Sequence, residues 1–139
     1  MSLNYGIYNP DDVNVIVNNV TIEGFAEDEL VRTERLDENE FTTKVGAKGD
    51  YTFVKNLNRA GSIILTLKQA SPSNIKLQAL KDSSALFSVT ITSKHNYSEL
   101  ASGVNCMVGI APRKKFGKDE DVREWNLITG DLVETDKAL

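Results

Sequence analysis

The chain has 139 residues, 40% of them apolar and 26% charged, with a formal net charge of −4. That is enough for one domain, 1–139, to bury a core without metals or cross-links, and the negative balance excludes binding to nucleic acid by bulk charge. Apolar runs such as Ile63 to Leu65 are far too short to span a bilayer, "MSLNYGIYNP" lacks a signal-peptide pattern, and the single Cys106 excludes an internal disulfide and suits a reducing cytoplasm.

In chain order the pattern is mostly β. "VNVIV" (Val13 to Val17) alternates, Asn18 and Asn19 tolerate positive φ, and "VTIEGFA" returns, so a hairpin opens the domain. "ELVRTERLD" alternates without a cleanly apolar face. "FTTKV" and "DYTFVKNL" (Asp50 to Leu57) are strands with mixed faces around the stretch "VGAKGD". "SIILTLKQ" is a strand with apolar residues on both sides. Ser71 as N-cap and Pro72 as first residue then predict a helix, Pro72 to Ser83, with Ile75, Ala79 and Leu80 inward and Leu77 flanking. "LFSVTITSK" is a strand, and "GVNCMVGIA" one that puts Val104, Cys106, Val108 and Ile110 on one face. "PRKKFGKDEDVRE" is a charged connection, basic first and acidic after. "EWNLITGDLVET" is a final strand broken at Gly130 and Asp131. The fold class is mainly β, a sandwich or half-open barrel with one inserted helix.

Chemistry-bearing patterns are sparse. His95 is the only histidine, too few ligands for a zinc site. A Cys106–His95 nucleophile pair can be drawn, yet Cys106 falls on an apolar face, where cysteine behaves as a small hydrophobe. Asp37, Glu38 and Glu40 imitate an acid/base pair but sit in a turn open to water, where nothing raises a pKa. The expectation is therefore no catalytic residue, no cofactor and no metal. Glu27 to Glu40 holds seven acids against Arg32 and Arg35, either a solvated face or a surface that repels polyanions.

"VGAKGD" has three readings. A phosphate-binding P-loop needs a lysine and Ser or Thr after its second glycine, with a helix following; here a strand follows. An adhesion role for Lys48-Gly49-Asp50 needs an exported protein. A turn needs only positive-φ positions between strands, which Gly46 and Gly49 supply. The turn reading prevails.

The ordered set "NPDDVNVIVNNVTIEGFAE", "VGAKGD", an aliphatic strand and "SPSN" opening a helix, densest over Phe41 to Asn74, resembles the tail tube proteins of contractile-tailed phages and phage-tail-like particles. The resemblance covers Tyr8 to Asn96 and weakens toward the C-terminus. It implies a structural protein rather than an enzyme. Six subunits would form a ring whose strands join into a continuous inner barrel, and the rings would stack into a tube through which DNA passes on ejection. The implied partners are further copies of the chain, the sheath, the tape measure protein and DNA in the lumen without sequence-specific binding, and baseplate, initiator and terminator proteins, with no membrane. The implied location is the virion tail, after synthesis in the host cytoplasm. The tube of a DNA-free injection device shares the fold, and a monomeric β-barrel binding module is the remaining alternative. Carried onto this chain, the resemblance implies a lumen lined by Glu29, Glu34, Asp37, Glu38, Glu40 and Asp50. It implies ring stacking through Lys44, Val45, Gly46, Ala47, Lys48 and Gly49, the two lysines reaching acids of the adjacent ring. Sheath or inter-ring contact would fall to Arg113, Lys114, Lys115 and Lys118.

Overall fold

A computed structural model describes residues 2–139. After a 3₁₀ turn at Pro10–Asp12, the chain forms β1 (Asn14–Val17), β2 (Val20–Thr21), β3 (Val31–Arg35), β4 (Phe41–Val45), β5 (Tyr51–Lys55) and β6 (Gly61–Lys68). The helix α1 (Ser73–Ser83) follows, then β7 (Phe87–Lys94), β8 (Ser98–Ile110), β9 (Val122–Thr129) and β10 (Leu132–Lys137).

Two antiparallel sheets share the long strand β8. In the first sheet β2, β1, β7, the early half of β8 and β10 lie side by side; in the second the order is late β8, β9, β6, β3. Period-2 alternation builds the core between them. Val15 and Val17, Phe87, Val89 and Ile91, and Leu132 come from the first sheet; Ile63, Leu65 and Leu67, with Trp125 and Leu127, come from the second. Each such side chain stabilises the fold by about 1.5–3 kcal/mol through burial.

The switch of β8 between sheets has a local cause. Asn105 takes a left-handed conformation (φ 52°), which an asparagine tolerates better than a branched residue. A Cβ on Gly103 would lie 2.9 Å from Cys106 Sγ. The bend corrects the sequence reading of one common apolar face: Cys106 is fully buried while Val104 is exposed, and a second irregularity between Val108 and Ile110 leaves Ile110 exposed as well. The early half of β8, "SELAS", has no apolar alternation of its own and is a strand because β7 and β10 flank it. Gly130 and Asp131 do break the last strand in two, but β9 and β10 do not pair with each other; β10 crosses to the first sheet.

The helix begins at Ser73, one residue later than the sequence suggested, with Pro72 as its cap. Ser71 Oγ accepts the Ser73 N–H (3.3 Å) and donates to the Glu23 carbonyl (2.5 Å), tying the helix start to the segment after β2. Its buried face is also different. Leu77 is wholly enclosed and Leu80 half-packed, while Ile75 and Ala79 point outward.

The strands β4 and β5 correct a second expectation. They pair only with each other, Phe41 with Lys55 through Val45 with Tyr51, and are exposed along their whole length. Neither belongs to the sandwich. Their tip is the expected turn, closed by Gly46 N–H to the Asp50 carbonyl (2.7 Å), but only Gly49 has positive φ (90°). Gly46 serves by lacking a side chain, since a Cβ there would meet Asp50 Oδ1 at 2.6 Å.

Candidate functional site: assembly surfaces

The two groups that could have formed a nucleophile pair lie at opposite ends of β7. Cys106 pairs with Phe87 in the core, and burial pushes its thiol pKa up. His95 sits in the β7–β8 turn with Nε2 3.3 Å from Glu99 Oε1 and its ring against Tyr97, centroids 4.5 Å apart. A hydrogen bond to Glu99 raises the Tyr97 phenol pKa. Among the described residues no group of three or more His, Cys, Asp or Glu is arranged to hold a metal ion. No helix among them is long and apolar enough to cross a membrane.

What the chain does offer is unpaired backbone. The second sheet ends at β3 on one side and at the late half of β8 on the other. Thr66 N–H donates to the Leu30 carbonyl and Leu36 N–H to the Ala60 carbonyl. By antiparallel alternation, Leu30, Arg32, Glu34 and Leu36 therefore bond inward, and Val31, Thr33 and Arg35 turn their N–H groups to the open side. Side chains alternate between the faces in register. Val31, Thr33 and Arg35 share the core face with Leu65, Ile63 and Gly61, while Arg32 and Glu34 share the outer face with Ile64 and Ser62. Core-side anchoring is polar here: Arg35 Nη1 donates to the Leu132 carbonyl (2.9 Å) and Thr33 Oγ1 to Glu134 (3.0 Å), fastening β3 to β10 of the other sheet.

The outer face carries a charge cluster that sequence reading missed. Arg32 reaches Glu29 (2.8 Å), Glu34 (2.9 Å) and Glu124 (3.7 Å). Hydrogen bonds to Glu29, then to Glu34, hold its guanidinium protonated by raising its pKa. These ion pairs are open to solvent, so their contribution to stability is small; they leave the face net acidic. Glu124 was hidden in the sequence because its partner, Arg32, is 92 residues away and adjacent only through β6.

The six proposed lumen acids are not together. Glu29 and Glu34 border this outer face. Asp37, Glu38 and Glu40 occupy the turn after β3, beyond the sheet's end, where Asp37 caps the Asn39 N–H (3.1 Å) and Glu40 lies 3.9 Å from Arg59. Asp50 sits at the hairpin tip. The six stacking residues, Lys44 to Gly49, are all exposed on that tip. One face of the hairpin gathers Phe41, Val45, Tyr51 and Phe53, with Tyr51 and Phe53 edge to face at 5.4 Å.

Arg113, Lys114, Lys115 and Lys118 are exposed on the connection between β8 and β9. This segment and α1 form the two walls of an open groove of about 810 Å³ floored by Trp125. Asn74 positions the floor: its Oδ1 accepts Trp125 Nε1–H (2.9 Å), and its Nδ2 donates to the Lys68 and Ser71 carbonyls (both 3.0 Å).

No family model matches the sequence. The structural protein ORF10 of Pseudomonas phage KPP10 is 28% identical over 131 residues, covering 85% of this chain and 75% of that protein. Among solved structures, the sheath/tube terminator of the PVC extracellular contractile injection system superposes with a TM-score of 0.70 over 96% of this chain and 99% of its own, at 14% identity. A chain of the PVC sheath–tube complex in the extended state gives 0.67, covering 96% of this chain and 93% of that one, also at 14% identity. The resemblance to the phage tail tube family holds. The anti-feeding prophage cap, which terminates that particle's tube, has the same fold at a TM-score of 0.63 and 9% identity, covering 97% of this chain and 94% of its own. The antiparallel sandwich with its one helix is thus a fold shared with these tail-related proteins.

Proposed function

We propose that this chain is a structural subunit of a contractile tail, forming the inner tube as stacked hexameric rings around a lumen that DNA crosses on ejection. The observation that carries the reading is the second sheet, four strands wide with an unpaired edge at each end, β3 and late β8. An open edge is a liability in an isolated domain and a joint in a ring, where each β3 pairs with the next subunit's β8. Closure would direct the outer face of the sheet, with Glu29, Glu34 and Glu124, toward the lumen. An acidic lining lowers the affinity of a polyanion for the wall. Asp37, Glu38 and Glu40 would then stand at the rim, and the hairpin with Lys44 to Gly49 would reach the adjacent ring. Sheath or inter-ring contact falls on this reading to the basic segment with Arg113, Lys114, Lys115 and Lys118.

A terminator role at the end of the tube is the second reading, favoured by the higher TM-score to a terminator than to the sheath–tube complex. A DNA-free injection device is the third, suggested by the injection-system neighbours, while the phage relative supports DNA as cargo. Negative-stain microscopy of the concentrated protein separates the first two. Long hollow tubes are expected for a tube subunit and single rings for a terminator, and a protein that stays monomeric at every concentration and salt would refute both. Copurification with full, DNA-bearing particles distinguishes phage from device.

A further inference from the structure

The groove between α1 and residues 111–118 contains a cation without a counter-ion. Arg123 is 5% exposed, yet its guanidinium reaches only the Val122 carbonyl (3.1 Å) and the Lys115 carbonyl (3.5 Å), with the Phe116 ring 5.6 Å away. Among the described residues no carboxylate comes within 4.0 Å of it. A buried charge answered only by carbonyl dipoles is costly, and a carboxylate in bidentate contact is the partner that relieves it. Lys81 and Lys114 add positive charge at the rim against a single acid, Asp82, and the exposed Ile75 and Phe116 supply apolar surface on the two walls. The groove therefore suits a peptide bearing an apolar side chain next to carboxylates.

The chain itself presents such a peptide. Leu36 is 77% exposed and is followed by Asp37, Glu38 and Glu40, whose one basic neighbour is Arg59 at 3.9 Å from Glu40. This turn stands beside Ala60 and Gly61, at the start of β6; Arg123 stands beside Leu67, at its end. The two sites are thus about 20 Å apart along an extended strand, so a chain cannot fill its own groove.

We propose that the acidic turn Leu36–Glu40 of one copy docks in the α1 groove of a second copy, Leu36 against Ile75 and Phe116 and a carboxylate on Arg123. Because donor and acceptor surfaces differ and lie at opposite ends of β6, the contact is heterologous and repeats from copy to copy. It rests on the tube reading for its setting and names a contact independent of both the open edges and the hairpin.

The test pairs Leu36→Cys with Ile75→Cys, an exposed residue on the groove wall; Cys106 is buried and does not compete. Oxidation of assembled protein is expected to give a ladder of covalent multimers from the double variant, and at most dimers from either single variant. A charge exchange supplies the second measurement. Glu38→Lys and Lys114→Glu should each lower tube yield by about tenfold, and their combination should restore most of it, as close charge pairs across interfaces do. Thermal melting of each variant monomer checks that these exposed positions leave the fold intact. Wild-type tubes whose cysteine pair gives no ladder, or reversals without mutual rescue, overturn the docking alone. A wild-type protein that forms neither rings nor tubes overturns the tube reading and the docking with it.

Discussion

At the scale of single residues, the informative positions are those where side-chain chemistry and surroundings disagree or agree completely. Cys106 agrees. It is enclosed among Val89, Phe87 and Thr129, and desolvation raises its thiol pKa. A folded pKa above the unfolded value of about 8.5 means that the folded state holds the proton more tightly. The contribution is fully present below the unfolded pKa and is lost as pH rises through the folded one. Cys106→Ala removes that linkage along with some packing. The stability advantage of the wild type over this variant, read from urea midpoints, should therefore shrink over the alkaline window that opens at about pH 8.5. A gap that stays constant across that window would mean that the thiolate is as well solvated in the fold as out of it. Arg123 is the residue where chemistry and surroundings disagree, and Asn74 is the one that reconciles several needs at once, serving a tryptophan N–H and the Lys68 and Ser71 carbonyls between β6 and α1.

At the scale of elements, the hairpin β4–β5 separates folding from assembly. Among the described residues its strands pair only with each other and stay exposed, and an isolated two-stranded hairpin is marginal in water. Tyr51→Ser with Phe53→Ser should change monomer stability by no more than about 0.5 kcal/mol per site, while tube length in negative stain falls sharply; deletion of Ala47 to Gly49 should act the same way. Unaltered tubes from the double serine variant would mean that this apolar face stays in water. The hairpin also illustrates what the sequence could reveal. Alternation and glycines marked β4, β5 and their turn correctly, because those are local properties. That both faces stay exposed was illegible, since it depends on where other strands go. The helix shows the same division. Ser71 and Pro72 announced its start, yet Leu77 rather than Ile75 is buried, because the adjacent sheet rather than the helix's own periodicity sets the inward face. The reading of β8 failed at Asn105, whose left-handed backbone separates the faces of Val104 and Cys106, and again at the irregularity between Val108 and Ile110. Of the candidate site, the acidic composition of Glu27 to Glu40 was plain in the sequence. Its division into a sheet face and a rim turn was not, because only the pairing of β3 with β6 fixes which acids share a surface.

At the scale of the whole molecule, the second sheet stops at β3, an edge protected only by its shortness and its charged side chains, Arg32, Glu34 and Arg35. The strand has no proline and no bulge, and its pairing with β6 runs without interruption from Val31 to Arg35. Soluble domains protect such edges because any extended chain can add to them. Thr33 offers a clean intervention, since its N–H turns to the open side and takes no part in the ladder with β6. Proline there is compatible with an edge strand and removes only an outward donor. Thr33→Pro should cost the monomer the Thr33–Glu134 hydrogen bond, about 1 kcal/mol, and leave its circular dichroism spectrum unchanged. Ring formation should be abolished, because the neighbour's late β8 loses a donor at the centre of a five-residue strand. Thr33→Val is the matched control: it loses the same hydroxyl, keeps the N–H, and should still assemble. If the proline variant forms rings as readily as the valine one, subunits do not join through this edge, and the open side of β3 must be covered by something other than its own kind.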